Sequence, residues 1–219
     1  MNKYLVASII VFGIFIFFTL VIYDDVIKLN DNLSEDSFIY KFDTGVLQAR
    51  IKFFSPVATE FMNILSDFGR EYFWIIVPIL LFIFGGIDGR IVAVIILISF
   101  MLVIPLTTIV KEMVDRDRPV ISYGTSVNKL PVDESYPSGH ASMVSAGAAA
   151  ALLLLRKRPR QKLISILLVI EAGLVCLSRL YLGVHYPTDL IGGILLGSGV
   201  ALLVTSAHKM IERLVKFKI

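Results

Sequence analysis

A single cysteine, Cys176, stands in a chain of 219 residues, inside an apolar run. It has no partner for an intrachain disulfide. No Cys/His set with zinc-site spacing exists either, so Cys176 reads as a helix-packing residue and no metal or cofactor site is expected. Charge is scarce too: charged side chains make up 18% of the chain, and the formal net charge is only +3. Without a basic stripe interleaved with aromatics, that balance argues against nucleic acid as a partner. Internal repeats and low-complexity segments are missing, which leaves one domain over residues 1–219. Apolar residues are what the chain has in plenty. They make up 56% of it, and the mean hydropathy is +0.80. That is the profile of a polytopic membrane protein.

The apolar residues fall into six runs. The first, 4–23, follows one positive charge at Lys3 and is about long enough to cross a bilayer. A cleaved signal peptide is the rival reading. The run is too long for that, and Val21-Ile22-Tyr23-Asp24-Asp25 offers no small-x-small cleavage site. The second run, 72–87, is short, contains Pro78, and needs residues from about Gly69 to span. A tight turn at 85–90 leads into the third, 91–110, with Pro105 inside it. The fourth, 138–155, carries a small-residue stripe at Ala141, Ser145 and Ala149. The fifth is 163–182, and the sixth, 187–207, places Gly193 and Gly197 at GxxxG spacing. Small residues at these periods let helix backbones approach closely in lipid.

Residues 24–70 are the least apolar stretch and begin acid-rich, with Asp24, Asp25, Asp31, Glu35, Asp36 and Asp43. Leu47, Ile51, Phe54, Ala58, Phe61, Leu65 and Phe68 then recur at three- and four-residue spacing, one face of a helix interrupted at Pro56. An interfacial helix fits, with a soluble hairpin capping the bundle as the alternative. The expected fold is therefore all-α: six transmembrane helices, with an interfacial helical segment between the first and second.

Six spans place both termini on one side, together with Arg90, the basic turn 156–162 and the basic tail. Positive charge marks that side as cytoplasmic. The acid-rich segment and the loop 111–137 then lie outside. So do the ends of four helices: Lys111 ends the third, Ser138, Gly139 and His140 begin the fourth, Arg179 ends the fifth, and His185 and Asp189 begin the sixth.

Ionisable groups in such a chain are rare unless they pair or do chemistry. Lys111, Arg118 and Arg179 suit a multiply charged oxyanion, since Arg forks onto two oxygens and Lys acts as a point charge. Ser138 and Gly139 stand where helix amides are free and the dipole favours an anion. Asp189, four residues after His185 with Pro187 between, is placed to fix the tautomer of that imidazole. The other ring nitrogen is then a nucleophile, and His140 a proton donor to the leaving oxygen. Taken singly, Lys111 and Arg179 read as snorkelling cations, and either histidine as a satisfied polar residue. Asp115 and Asp117 are expected to pair locally with Arg116 or Arg118. His208 lies beyond the sixth run and is expected to be interfacial.

Together KxxxxxxRP (111–119), PSGH (137–140) and SRxxxxxHxxxD (178–189) resemble the signature of the type 2 phosphatidic acid phosphatase (PAP2) family, in order and without substitution. The resemblance covers residues 111–189. It implies an integral membrane lipid phosphatase acting without metal through a phosphohistidine at His185. Asp189 would orient His185, and His140 would be the general acid. Lys111, Arg118, Ser138, Gly139 and Arg179 would hold the phosphate. Prenyl diphosphates such as undecaprenyl diphosphate, phosphatidylglycerol phosphate and phosphatidic acid are the substrates this family implies; an outward-facing site favours the first. Vanadium haloperoxidases resemble the same constellation but are soluble, which the six runs oppose. An anion transporter or channel is the non-enzymatic rival, without the inverted repeat such proteins show.

Overall fold

The computed structural model describes residues 2–30, 37–119 and 133–217. The acids Asp31, Glu35 and Asp36 and the middle of the 111–137 loop lie outside the described residues. Among those described the chain is helical: α1 (Lys3–Asn30), α2 (Phe38–Arg50), α3 (Pro56–Phe68), α4 (Trp74–Phe84), α5 (Gly86–Val114), α6 (Gly139–Leu154), α7 (Pro159–Tyr181), α8 (Pro187–Ser206) and α9 (His208–Phe217). A single 3₁₀ turn, Ile51–Phe53, closes α2, and a π-helical turn, Gly69–Phe73, joins α3 to α4.

The starts of these helices are written locally. Ser37, Ser55 and Ser138 are N-caps whose hydroxyls accept from the backbone N–H three residues on. Pro56, Pro159 and Pro187 occupy the first helical turn, where a missing N–H costs nothing. The end of α5 is set by Asp115, which turns left-handed at φ 50°.

Four helices, Lys3–Leu29, Gly86–Val114, Pro159–Tyr181 and Pro187–Ser206, are long and apolar enough to cross a membrane. The second and fourth expected runs appear as the shorter apolar helices Trp74–Phe84 and Gly139–Leu154. Two boundaries differ from expectation. Helix α1 continues past 23 to Asn30 because its acids are accommodated: Asp24 pairs with Lys28 at 2.5 Å, and buried Asp25 accepts from Ser37 Oγ. The helix read over 47–68 is interrupted just ahead of Pro56, as its pattern suggested. The 24–70 stretch forms α2 and α3, and α3 runs on through the π turn into α4.

The apolar stripe read along that stretch does not form a buried face. Ile51, Phe61 and Phe68 are exposed on the protein surface, while α3 turns Thr59 and Ser66 inward. Phe54, Ala58 and Met62 do pack on Tyr181, Leu182 and Val184. A helix that leaves its phenylalanines outside and buries its hydroxyls inverts the soluble pattern, as expected where the surroundings are apolar.

At the centre, α6 and α8 lie against each other with almost no side chain between them. A Cβ on Gly197 would stand 2.1 Å from the Ser142 carbonyl oxygen, and one on Gly193 2.7 Å from that of Ser138. The Trp74 ring covers Gly147 in the same way. Helix α1 is fastened to α8 by Asn2 on the Ser206 carbonyl (2.6 Å) and Ser8 on that of Gly199 (3.0 Å).

The bundle has two distinct ends. At one, Lys157 meets Asp88 at 2.7 Å, Tyr4 stacks edge-on with His208, and Asn2 reaches Ser206. At the other, the C-termini of α5 and α7 meet the N-termini of α6 and α8, and Ser138 N donates to Asp189 O at 3.0 Å.

Candidate active site

At this second end, five chain segments bring buried polar groups together. Lys111 lies in the last turn of α5, and Arg116 and Arg118 follow the left-handed exit at Asp115. Ser138 caps α6, and Gly139 and His140 open it. Arg179 is in the last turn of α7. His185 lies in the short link to α8, and Asp189 in the first turn of α8.

His185 is 1% exposed and Asp189 0%. The ring Nδ1 lies 3.3 Å from Asp189 Oδ2. Burial pushes the His185 imidazole down to about 4, against the upward pull of Asp189. At neutral pH the ring is therefore uncharged. Its Nδ1–H donates to Asp189, which leaves Nε2 with a free lone pair. Arg118 Nη1 donates to that Nε2 at 3.1 Å.

The cations form an arc around this nitrogen. Arg118 also donates to the Val184 carbonyl (2.7 Å) and to the Asp133 carbonyl and carboxylate (both 2.8 Å). Lys111 Nζ stands 2.9 Å from Asp133 Oδ2 and also donates to the Glu134 carbonyl. Asp133, though buried in part, is held down to about 2 by Lys111 and Arg118, so it stays a carboxylate. Arg179 donates to Ser66 Oγ, and its buried Nε has no hydrogen-bond partner among the described residues. A buried guanidinium N–H left so is costly, and an anion's oxygen would satisfy it. Arg179 and His185 both lie close enough to His140 to act on it electrostatically.

His140 receives Arg70 Nη1 at 3.4 Å on its Nδ1, which leaves Nε2 to carry a proton. The first-turn amides of α6 at Gly139 and His140 have no intrahelical acceptor by helix geometry. Ser138 Oγ accepts from Ala141 N and keeps its proton to donate. A cavity of about 400 Å³ opens beside them, lined by Lys111, Asp133, Gly139 and Arg70 together with Ile75, Val103 and Met143. A larger apolar groove of about 810 Å³, against α9, holds none of these groups but Arg90 near it.

All eight residues singled out from sequence thus stand at one end of the bundle. Two local pairings expected there do not occur. Arg116 turns away from Asp115 and Asp117 to Asp189 Oδ1 (2.8 Å) and Asp43 Oδ2 (2.7 Å), and Arg118 pairs with Asp133. The buried carboxylates of Asp43 and Asp189 outcompete solvated neighbours for the Arg116 guanidinium, and the half-exposed Asp133 holds Arg118 together with Lys111. Sequence reasoning also missed Arg70, Asp133, Ser135 and Asp43. Asp133 lies just ahead of the PSGH cluster, which is a usable signal. Asp43 has none nearby.

The sequence profile of the PAP2 superfamily matches residues 89–213. Undecaprenyl-diphosphatase of Sulfolobus acidocaldarius is 41% identical over 162 residues, 71% of this chain and 75% of that protein. Phosphatidylglycerophosphatase B of Bacillus subtilis is 28% identical over 183 residues, 78% of this chain and 85% of that protein. The crystal structure of a transmembrane PAP2 type phosphatidylglycerolphosphate phosphatase from Bacillus subtilis superposes with a TM-score of 0.71 at 24% identity, covering 96% of this chain and 98% of that one. That likeness is one of fold.

Proposed function

Because the chain belongs to the PAP2 superfamily, we propose that it hydrolyses a lipid diphosphate or phosphate ester through a covalent bond to His185. The carrying observation is the pairing of His185 Nδ1 with Asp189 while Nε2 faces Arg118 at 3.1 Å. An entering phosphoryl group takes up the hydrogen bonds of Arg118, Lys111 and Arg179 and the amides of Gly139 and His140, which uncovers Nε2. The Nε2–P bond forms as the P–O bond to the leaving group breaks, and His140, protonated on binding of the anionic headgroup, gives its Nε2 proton to the leaving oxygen and returns to the neutral ring. Water then attacks phosphorus, His140 takes the water proton, and the N–P bond breaks to release phosphate. Developing charge on the equatorial oxygens meets three fixed cations, the task a metal ion performs in many phosphoryl transfers. The reaction is therefore metal-independent in this reading.

A prenyl diphosphate such as undecaprenyl diphosphate is the favoured substrate, with phosphatidylglycerol phosphate and phosphatidic acid as alternatives. The cavity at the site is lined by Arg70 and Lys111 as well as by Ile75, Val103 and Met143, which suits a headgroup with its chain left in lipid. The relative at 41% identity carries the name of an undecaprenyl-diphosphatase. Six spans, counting α4 and α6, would put both termini on the cytoplasmic side, since the basic turn 156–162 lies at the end opposite the site. The site would then face outward, with α2 near the membrane surface. Phosphate release from the three lipids in detergent, by wild type and by His185→Ala, tests the proposal. Loss of release from every lipid on substitution is expected; unchanged release would refute it.

A further inference from the structure

We propose that Arg116 and Asp43 are positioning residues for this phosphatase, linking helix α2 to the nucleophile through the buried chain Asp43–Arg116–Asp189–His185. The inference rests on the reaction just proposed and adds to it two residues outside the motif assignments.

The geometry carries it. Arg116 is 3% exposed and Asp43 and Asp189 are 0%. The guanidinium puts Nη2 2.7 Å from Asp43 Oδ2 and Nη1 2.8 Å from Asp189 Oδ1 and from Thr188 Oγ1. Asp43 is itself fixed on the start of α8, accepting from Thr188 N at 3.1 Å and from Thr188 Oγ1 at 2.5 Å. The face of Arg116 lies 4.2 Å from the Tyr186 ring centre. Asp189 has both oxygens committed: Oδ1 to Arg116, and Oδ2 to His185, Ser135 Oγ and Tyr186 N. Neither Arg116 nor Asp43 lines the cavity or pairs with a phosphate-gripping cation among the described residues.

The electrostatics explain why Arg116 would matter. Without it, Asp43 and Asp189 are two carboxylates buried on either side of Thr188, and one must take a proton. If Asp189 takes it, the carboxyl no longer draws the Nδ1–H of His185. Even where that proton sits on Asp43, which burial pushes up, Asp189 loses the guanidinium that fixes its Oδ1 and is free to turn from the Nδ1–H of His185. The ring then loses its tautomer, its orientation and the charge that stabilises it while phosphorus is attached. Arg116 keeps Asp189 ionised and still, and Asp43 keeps Arg116 in place. The nucleophile is thereby complete only while α2 is seated on α8.

The test compares Arg116→Gln, Arg116→Lys and Asp43→Asn with wild type and His185→Ala in detergent. Lipid phosphate release is followed against pH, and inorganic phosphate serves as a competitive probe. Arg116→Gln should lower kcat about 10–100-fold, and Asp43→Asn by a smaller factor, the range typical of groups that orient a reacting residue. KM and phosphate inhibition should stay within about threefold, since the groups that hold the phosphate are untouched. The acid limb of kcat/KM should move to higher pH in Arg116→Gln, because a cation beside Asp189 is gone. His185 is otherwise faced by Arg118, Arg179 and His140, which remain, and among the described residues Arg116 is faced by Asp43, Asp189, Tyr186 and Tyr136. Arg116→Lys should restore the pH profile and part of kcat. Wild-type kcat in both Arg116→Gln and Asp43→Asn would overturn the inference. So would a fall in kcat with the acid limb unmoved and no recovery in Arg116→Lys, which is what a purely structural role gives. Should Arg116→Gln not fold, Asp43→Asn decides alone: a lowered kcat with KM and phosphate inhibition unchanged supports the inference, and wild-type kcat overturns it. Full activity of His185→Ala would instead overturn the underlying reaction.

Discussion

The Asp133 carboxylate stands 2.9 Å from the Lys111 ammonium, and its other oxygen 2.8 Å from Arg118. An aspartate thus makes the same two-cation contact that a phosphate oxygen would make. It competes with substrate for both groups. Its side chain is 53% exposed, so the pairing is screened and modest. Asp133→Asn is expected to lower KM and the inhibition constant for inorganic phosphate about two- to fivefold, the scale of a partly exposed ion pair. Steady-state kinetics at low and high salt check this, with the difference shrinking as salt rises.

The pH dependence follows from His185, which burial pushes down to about 4. The nucleophile is neutral above that value, so the acid limb of kcat/KM should fall near pH 4 rather than near the ordinary histidine value of about 6.5. The same shift governs stability. Between those two values the unfolded chain binds the proton and the folded one does not. This group's contribution is whole above the ordinary value and is lost as pH falls towards 4. Thermal midpoints in detergent between pH 4 and 7 should decline on the acid side, and less steeply in His185→Asn.

Chelation separates the proposed chemistry from its metal-assisted alternative. Lys111, Arg118 and Arg179 already supply the positive charge that the phosphoryl group needs. Phosphate release in excess EDTA should match that in its absence, assayed on the favoured prenyl diphosphate. Activity lost with EDTA and regained with a divalent cation would count against the cationic site acting alone.

The helix contact at Gly197 makes a stability prediction. A methyl there would meet the Ser142 carbonyl oxygen at 2.1 Å, and backbone cannot step aside without separating α6 from α8. Gly197→Ala should cost about 1–3 kcal/mol, the range of overpacked sites, and lower the thermal midpoint. Gly173→Ala is the internal control. Nothing lies within 4 Å of a Cβ there, and alanine is the better helix former.

Much of this site could be read from the chain because its members interrupt apolar surroundings. Lys111, His140, Arg179 and His185 each stand at the edge of an apolar run, and the parity of the runs puts those edges together. Asp43 could not be found that way. It is 73 residues from Arg116, and pairing over such a separation leaves no local pattern. The stripe from Leu47 to Phe68 was legible only in part, for a different reason. Periodicity reports that a helix has two faces, but not which one is turned inward. In a membrane setting Phe61 and Phe68 face out, and Ser66 faces in to meet Arg179. The acids at 24 and 25 misled, since they look like the end of a span yet lie within α1.

Between Gly69 and Phe73 the rod that begins at Pro56 and ends at Phe84 holds a wider turn than an α-helix needs. Its angular phase is therefore different on the two sides. Before the turn it offers Ser66 to Arg179, and within the turn Arg70 to His140; after it, Trp74 gives its indole N–H to Glu171 at 2.7 Å. Adding or removing one residue in the α-helical part on either side of the turn would rotate one half against the other by about 100°. Both halves would survive as helices, but they could no longer meet their neighbours at once. This rod tolerates substitution far better than a change of length.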